Sequence, residues 1–205
     1  MHKIIRFVEN ELQNDYSGHD ISHIKRVVNN ANKIMSVEGG NRKIIITSCY
    51  LHDIIDRKLF SNEDEQLNKI YRLLLENNYT HDEINEIIEI IQSISFNEGN
   101  YKKLYTLNSM IVRDADRLDA IGSMGIIRCI EYGNSKHRKF YEEKNIQNID
   151  GKLCFSESTD TTLSHFYDKL LKLEELMLTK EGKKLAKSRT KIMKEFLNNF
   201  YNELS

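Results

Sequence analysis

The stretch Asn41-Arg42-Lys43-Ile44-Ile45-Ile46-Thr47-Ser48-Cys49-Tyr50-Leu51-His52-Asp53 decides how this chain folds. Gly39-Gly40 ahead of it can stop one helix, and Asn41 can cap the next. Ile44, Ile45, Ile46, Cys49, Tyr50, Leu51 and Ile55 make that second helix apolar nearly all round, which places it at the centre of a bundle. Its last turn then delivers an imidazole and a carboxylate, His52 and Asp53, to the interior. A carboxylate is costly to bury unless it is paired or binds a cation.

The helical period extends outward in both directions. Ile24, Val27, Val28, Ala31, Ile34 and Met35 follow the i, i+3, i+4, i+7 template over three turns. Ser61-x-x-Asp64 and Thr80-x-x-Glu83 have the form of capping boxes, and Ile84, Ile87, Ile88 and Ile91 stripe the helix after Thr80. A polar loop is expected from Asn97 to Asn108. Met110-Ile111-Val112 then leads into Asp114-Ala115-Asp116-Arg117-Leu118-Asp119-Ala120-Ile121. Two closing helices are expected. The first runs roughly from Thr161 to Leu178, and the second, with Met193, Phe196, Leu197, Phe200 and Leu204, runs to the C-terminus. With 205 residues, no proline and 9 glycines, little punctuates these periods, and an all-α fold is expected. The length suits one domain over 1–205, with the polar stretch 132–160 a surface excursion or lid.

Composition narrows the function classes. The 30 basic and 31 acidic residues nearly cancel, to a net charge of -1. That balance argues against a wrapping basic surface, so no nucleic-acid partner is expected, although a local basic pocket is compatible with it. Cys49, Cys129 and Cys154 are odd in number, far apart and without a CxxC pair, which argues against a disulfide framework and a thiolate zinc site. Reduced thiols and the lack of a hydrophobic leader point to a cytoplasmic protein, and no run approaches the roughly 20 apolar residues of a membrane span. Helical faces near the C-terminus could pair two copies into a homodimer.

The chemistry gathers around His52-Asp53. His23 lies beside the Ile24/Val27 stripe and can look inward. Asp116 follows an apolar approach segment. Two imidazoles and two carboxylates without a thiolate form an N2O2 set. It suits one divalent metal (Mn, Mg, Fe, Co or Ni) with water completing the sphere better than tetrahedral zinc. Such a cation binds a phosphoryl oxygen and lowers the pKa of water.

The order His19-Asp20-x-x-His23-x-x-Arg26-Val27, then Leu51-His52-Asp53, then Asp114-Ala115-Asp116-Arg117-Leu118-Asp119-Ala120-Ile121-Gly122 resembles the HD-domain phosphohydrolase superfamily. The likeness is to its branch of small stand-alone bacterial HD hydrolases. It continues through Ile126-Ile127-Arg128 and Ser164-His165-Phe166-x-x-Lys169-Leu170-Leu171-Lys172-Leu173. The resemblance implies an HD-type helical bundle whose metal ligands are His23, His52, Asp53 and Asp116, with Asp114 the runner-up for the last. It implies a phosphohydrolase acting on a phosphate ester or anhydride, with a nucleotide as the phosphorylated small-molecule substrate.

Asp53 and Asp56 are the candidate catalytic acids. In several HD hydrolases a glutamate at the offset of Asp56 helps activate water, but an aspartate is shorter, and pairing with Arg57 at a helix end serves equally. His165 and Lys169, one turn apart, can present two donors to a phosphate. The plainer reading is a core histidine and a solvated lysine. Arg128 is a further phosphate candidate. Arg26 and Arg117 suit structural ion pairs. His19 either touches substrate or hydrogen-bonds backbone at a helix start. Relatives often carry His-Ser-Phe where this chain has Ile94-Ser95-Phe96. Loss of that histidine favours an alternative, a non-catalytic metal- or nucleotide-binding module.

Overall fold

A computed structural model describes residues 1–13, 20–55, 62–94 and 106–204. They group into two compact units, Met1–Asp116 and Arg117–Ser205. The described elements are mostly helical, as expected, with one small hairpin.

The first unit carries α1 (His2–Leu12), α2 (Ile21–Glu38), α3 (Arg42–Leu51), α4 (Glu63–Glu76), α5 (His81–Ile94) and the start of α6 (Leu107–Asp119). α3 packs against α1, α2 and α5 and buries Ile44, Ile45, Ile46, Cys49 and Leu51. This is the central position that its all-round apolar surface requires. The Asn41 side chain caps it through the amides of Lys43 and Ile44 at 3.1 and 3.3 Å. Gly39, at φ 78, ends α2 in a conformation open to glycine. Thr80 and Glu83 form the expected reciprocal box, with Thr80 N donating to Glu83 at 2.9 Å and Glu83 N to Thr80 Oγ1 at 3.2 Å. The cap of α4 is Asn62, which accepts from Glu65 N at 3.1 Å. Ser61, expected to start that box, and most of the loop expected from Asn97 lie outside the described residues.

α3 does not carry His52 and Asp53 in an α-helical turn. The chain tightens into a 3₁₀ turn over His52–Ile55. The His52 ring reaches the Cys49 carbonyl and so competes for a backbone acceptor at the end of α3.

The second unit holds α7 (Gly122–Ser135), α8 (Thr162–Asp168), α9 (Lys180–Leu204) and a two-stranded antiparallel sheet, β1 (Ile146–Ile149) and β2 (Lys152–Phe155). The stretch 132–160 is therefore less irregular than its composition suggests. Asp150 and Gly151, at φ 52 and φ 80, make the tight two-residue turn of the hairpin. Phe155 stacks on Tyr167 with centroids 4.1 Å apart, and Tyr167 pairs its hydroxyl with that of Tyr201 on α9 at 2.9 Å. These contacts tie the hairpin to the helices beside it.

The helix expected over Thr161–Leu178 stops early. Thr161 caps it, but Lys169 leaves helical geometry at φ -131, ψ -59, and tighter i→i+3 bonds carry the chain through Leu170–Lys172 and beyond. That path buries Leu170 and Leu173, both of which fit a straight helical stripe equally well in sequence. α9 buries Ala186, Met193, Leu197 and Tyr201.

α7 meets α8 at Gly133, where an added Cβ would lie 2.0 Å from Thr162 Oγ1 and 3.1 Å from its Cβ. Gly133→Ala is expected to lose about 1–3 kcal/mol by overpacking, read as a lower urea midpoint with unchanged m. A variant as stable as the parent would show that the two helices are not in that contact.

Candidate metal centre

Four of the side chains named from sequence converge within the first unit. Asp20 is the N-cap of α2 and accepts from His23 N at 3.0 Å and from the Ser22 hydroxyl at 2.8 Å. Burial opposes its ionisation, yet these hydrogen bonds and Arg26 hold its carboxyl below the usual range. The cap sets the first turn of α2, from which His23 points inward at 1% exposure.

His52 and Asp53 are equally enclosed, at 3% and 5% exposure. His52 Nδ1 lies 2.9 Å from the Cys49 carbonyl. A carbonyl only accepts, so Nδ1 carries the donated proton and Nε2 faces the site. Asp116 comes from α6, with its side chain 32% exposed. The buried Asn30 amide on α2 donates to the Ala115 carbonyl at 3.0 Å and braces α6 one residue before Asp116.

The ring of contacts is close. His23 Nε2 stands 3.4 Å from His52 Nε2, 3.4 Å from Asp53 Oδ2 and 3.5 Å from Asp116 Oδ1. His52 Nε2 stands 3.3 Å from Asp53 Oδ1 and 3.6 Å from Asp116 Oδ1. The ligand atoms of His23, His52 and Asp53 all lie within 4.8 Å of one another. Donors held about 2.0–2.2 Å from one ion stand roughly 3–4.4 Å apart, so the three fit around one divalent cation. Cys49, the nearest thiol in sequence, is pushed well up by burial and stays protonated.

The electrostatics respond to the crowding of carboxylates. Burial by itself would depress the His52 imidazolium, but Asp53 and Asp116 prevail and raise its pKa to about 9. For Asp116, burial opposes ionisation, and the two imidazoles overcome it and pull the carboxyl down. The site therefore demands positive charge.

His19 and Asp56 lie outside the described residues. Asp114 is fully buried on α6, and Asp116 brings an oxygen within 3.6 Å of both imidazoles. Arg128 forms an ion pair with the buried Asp119 at 2.6 Å. Arg117 donates to the Leu176 carbonyl at 3.0 Å. His165 is half-buried, and burial, then Lys169 and Arg138, lower its pKa. Arg138 was not visible as a neighbour in sequence. Neither was Asn30, since an asparagine in a helical stripe carries no local sign of its acceptor. Asp20 was legible as an N-cap, three residues ahead of His23.

A profile of the HD domain matches residues 20–121. Bacillus subtilis YpgQ is 28% identical over 204 residues, spanning 98% of this chain and 92% of YpgQ. Its crystal structure in complex with ADP superimposes with a TM-score of 0.80 at 27% identity, covering 98% of this chain and 96% of that one. An HD-superfamily hydrolase from Bacillus thuringiensis is 35% identical with a TM-score of 0.80, covering 99% and 95%. A Lactobacillus plantarum protein is 33% identical with a TM-score of 0.78, covering 99% and 95%. The chain belongs to the HD-domain superfamily and is similar to its small hydrolases over nearly its whole length. Among the described residues no helix is long and apolar enough to cross a membrane.

In chelator-treated protein the raised His52 pKa makes stability depend on pH. Its contribution is complete below the ordinary value of 6.5 and is lost as pH climbs to about 9. The melting temperature should therefore fall across that window, and saturating Mn2+ should remove the fall by taking the lone pair in place of the proton. A flat profile in chelator would mean the imidazole is not held charged.

Proposed function

We propose that this protein is a metal-dependent phosphohydrolase that cleaves a phosphate ester or anhydride of a nucleotide. The observation that carries the reading is the convergence of His23, His52, Asp53 and Asp116, with both imidazole Nε2 atoms turned into one acidic pocket. Those four residues would hold one divalent cation (Mn, Mg, Fe, Co or Ni). Such a cation neutralises charge developing on phosphoryl oxygens and lowers the pKa of water.

The protein's own groups supply the rest. The Cys49 carbonyl fixes the His52 tautomer, and the Asp20 cap and the Asn30 amide hold the other two elements in place. Asp53 or Asp56 accepts the proton from the attacking water. His165 and Lys169, and Arg128 where its pairing with Asp119 allows, are assigned to the remaining phosphate charge, with His19 a further contact. His165 enters this role as a neutral donor, because its surroundings disfavour the charged ring. Crystallised YpgQ holds ADP, which supports a nucleotide as the ligand class.

One observation favours a second reading. Ile94 ends α5 where relatives often have histidine, and an isoleucine cannot bond a phosphate. In that reading the protein binds metal and nucleotide without turnover.

His52→Ala and Asp53→Ala should each lose retained metal by elemental analysis and slow nucleotide hydrolysis by about 10³-fold. A double variant that keeps both metal and rate would end the mechanism. A nucleotide panel assayed for phosphate and pyrophosphate separates the two readings, since tight binding without product selects the second. Lys169→Ala should raise KM about tenfold or more, with little change in kcat. An equal fall in kcat at constant KM would remove Lys169 from substrate binding.

A further inference from the structure

We infer that the outward face of α9 is a docking surface for the phosphate backbone of a nucleic-acid duplex. Lys180, Lys183, Lys184, Lys187, Lys191 and Lys194 are all exposed on this one helix. At 100° per residue they fall within an arc of about 100°, and at 1.5 Å per residue they form a row about 21 Å long. The adjoining face, about a quarter to a third of a turn round, holds Ala186, Met193 and Leu197 in the core, so the row is presented by an anchored helix.

The arrangement is unfavourable for the helix itself. Lys180–Lys184, Lys183–Lys187, Lys187–Lys191 and Lys191–Lys194 repeat like charge at i+4 and i+3. Three of the lysines crowd the first turns of α9, where the helix dipole already places positive charge. Ion pairs of Lys184 with Glu181 at 3.3 Å and of Lys191 with Glu195 at 3.7 Å offset little, because these lysines are 76% and 78% exposed. A polyanion reverses the sign of every one of these terms.

Three features choose the occupant. Over 21 Å of its axis a duplex carries about twelve phosphates, one per roughly 1.7 Å, and the half on the near side, drawn from both strands, stands against six lysines. The row carries no aromatic side chain, so it offers no platform for unstacked bases and suits a backbone already ordered. It carries no apolar side chain either. Ile192, 39% exposed, lies about a third of a turn to one side, so the face has nothing to insert among lipid tails. Binding of this kind is independent of base sequence. The inference does not draw on the hydrolase reading.

The test is fluorescence anisotropy of a labelled 20-base-pair DNA duplex titrated with full-length protein at several NaCl concentrations. Five or six neutralised phosphates predict a slope of log K against log salt of about -5. The charge-reversal variant K183E/K187E/K191E should bind at least tenfold more weakly at 50 mM salt and lose about 3 from the slope. Its circular dichroism and nucleotide hydrolysis should match the parent. If charge reversal disturbs folding, K183Q/K187Q/K191Q should still remove the same part of the slope. No binding at 50 mM salt, equal binding by parent and variant, or tighter binding to a single strand of the same sequence would overturn the inference. So would capture on vesicles of 30% phosphatidylserine with no duplex binding, which would assign the face to a membrane surface.

Discussion

A carboxylate held inside a protein must find positive charge, and Asp53 is where this chain meets that requirement. It lies at 5% exposure with His23 and His52 at 3.4 and 3.3 Å. Leaving such a group uncompensated costs more than a typical domain's margin of stability allows. The surrounding structure answers to this one constraint. α3 is apolar enough to carry Asp53 to the centre, the cap of α2 aims His23 at it, and Asn30 secures α6 beside Asp116. With no cation in place, the compensation falls to protonated His52, whose pKa rises to about 9. A bound metal would compete with that proton for one lone pair, and either would serve the same electrostatic need.

What could be read from the residues was what local chemistry dictates. The central place of α3 follows from Ile44-Ile45-Ile46 and Leu51. The caps at Asn41 and Thr80 follow from side chains that satisfy their own helix ends. The pairing of His23 with His52 across 29 residues is different in kind. No period predicts it; the resemblance of the ordered motifs to HD proteins is what implies that the four candidate ligands meet. The structure places them in contact on independent grounds, through backbone and packing.

What escaped was decided by tertiary competition or by a signal passed over. The 3₁₀ turn at His52 depends on a ring reaching back to the Cys49 carbonyl, a choice invisible in an apolar run. The break at Lys169 has neither proline nor glycine to mark it. The hairpin was within reach. Ile149-Asp150-Gly151-Lys152 carries the Asp-Gly pair that favours a two-residue turn, but its polar neighbours disguised two short strands as a loop. Arg128, a phosphate candidate by its motif, also pairs with the buried Asp119 at 2.6 Å, a contact that no helical period announces.

Net charge is the last case in which an average conceals an arrangement. A balance of -1 over 205 residues reads as electrostatic indifference. Yet acid is concentrated where the interior needs a cation, and base is drawn out along α9 in a row that weakens its own helix. Opposite charges placed far apart in function cancel in a sum but not in a field. The argument from composition against a wrapping basic surface holds, because one helix face is not a wrap. It never reached the question of a single rail of lysines, which only the helical phase and the burial of the adjoining face could raise.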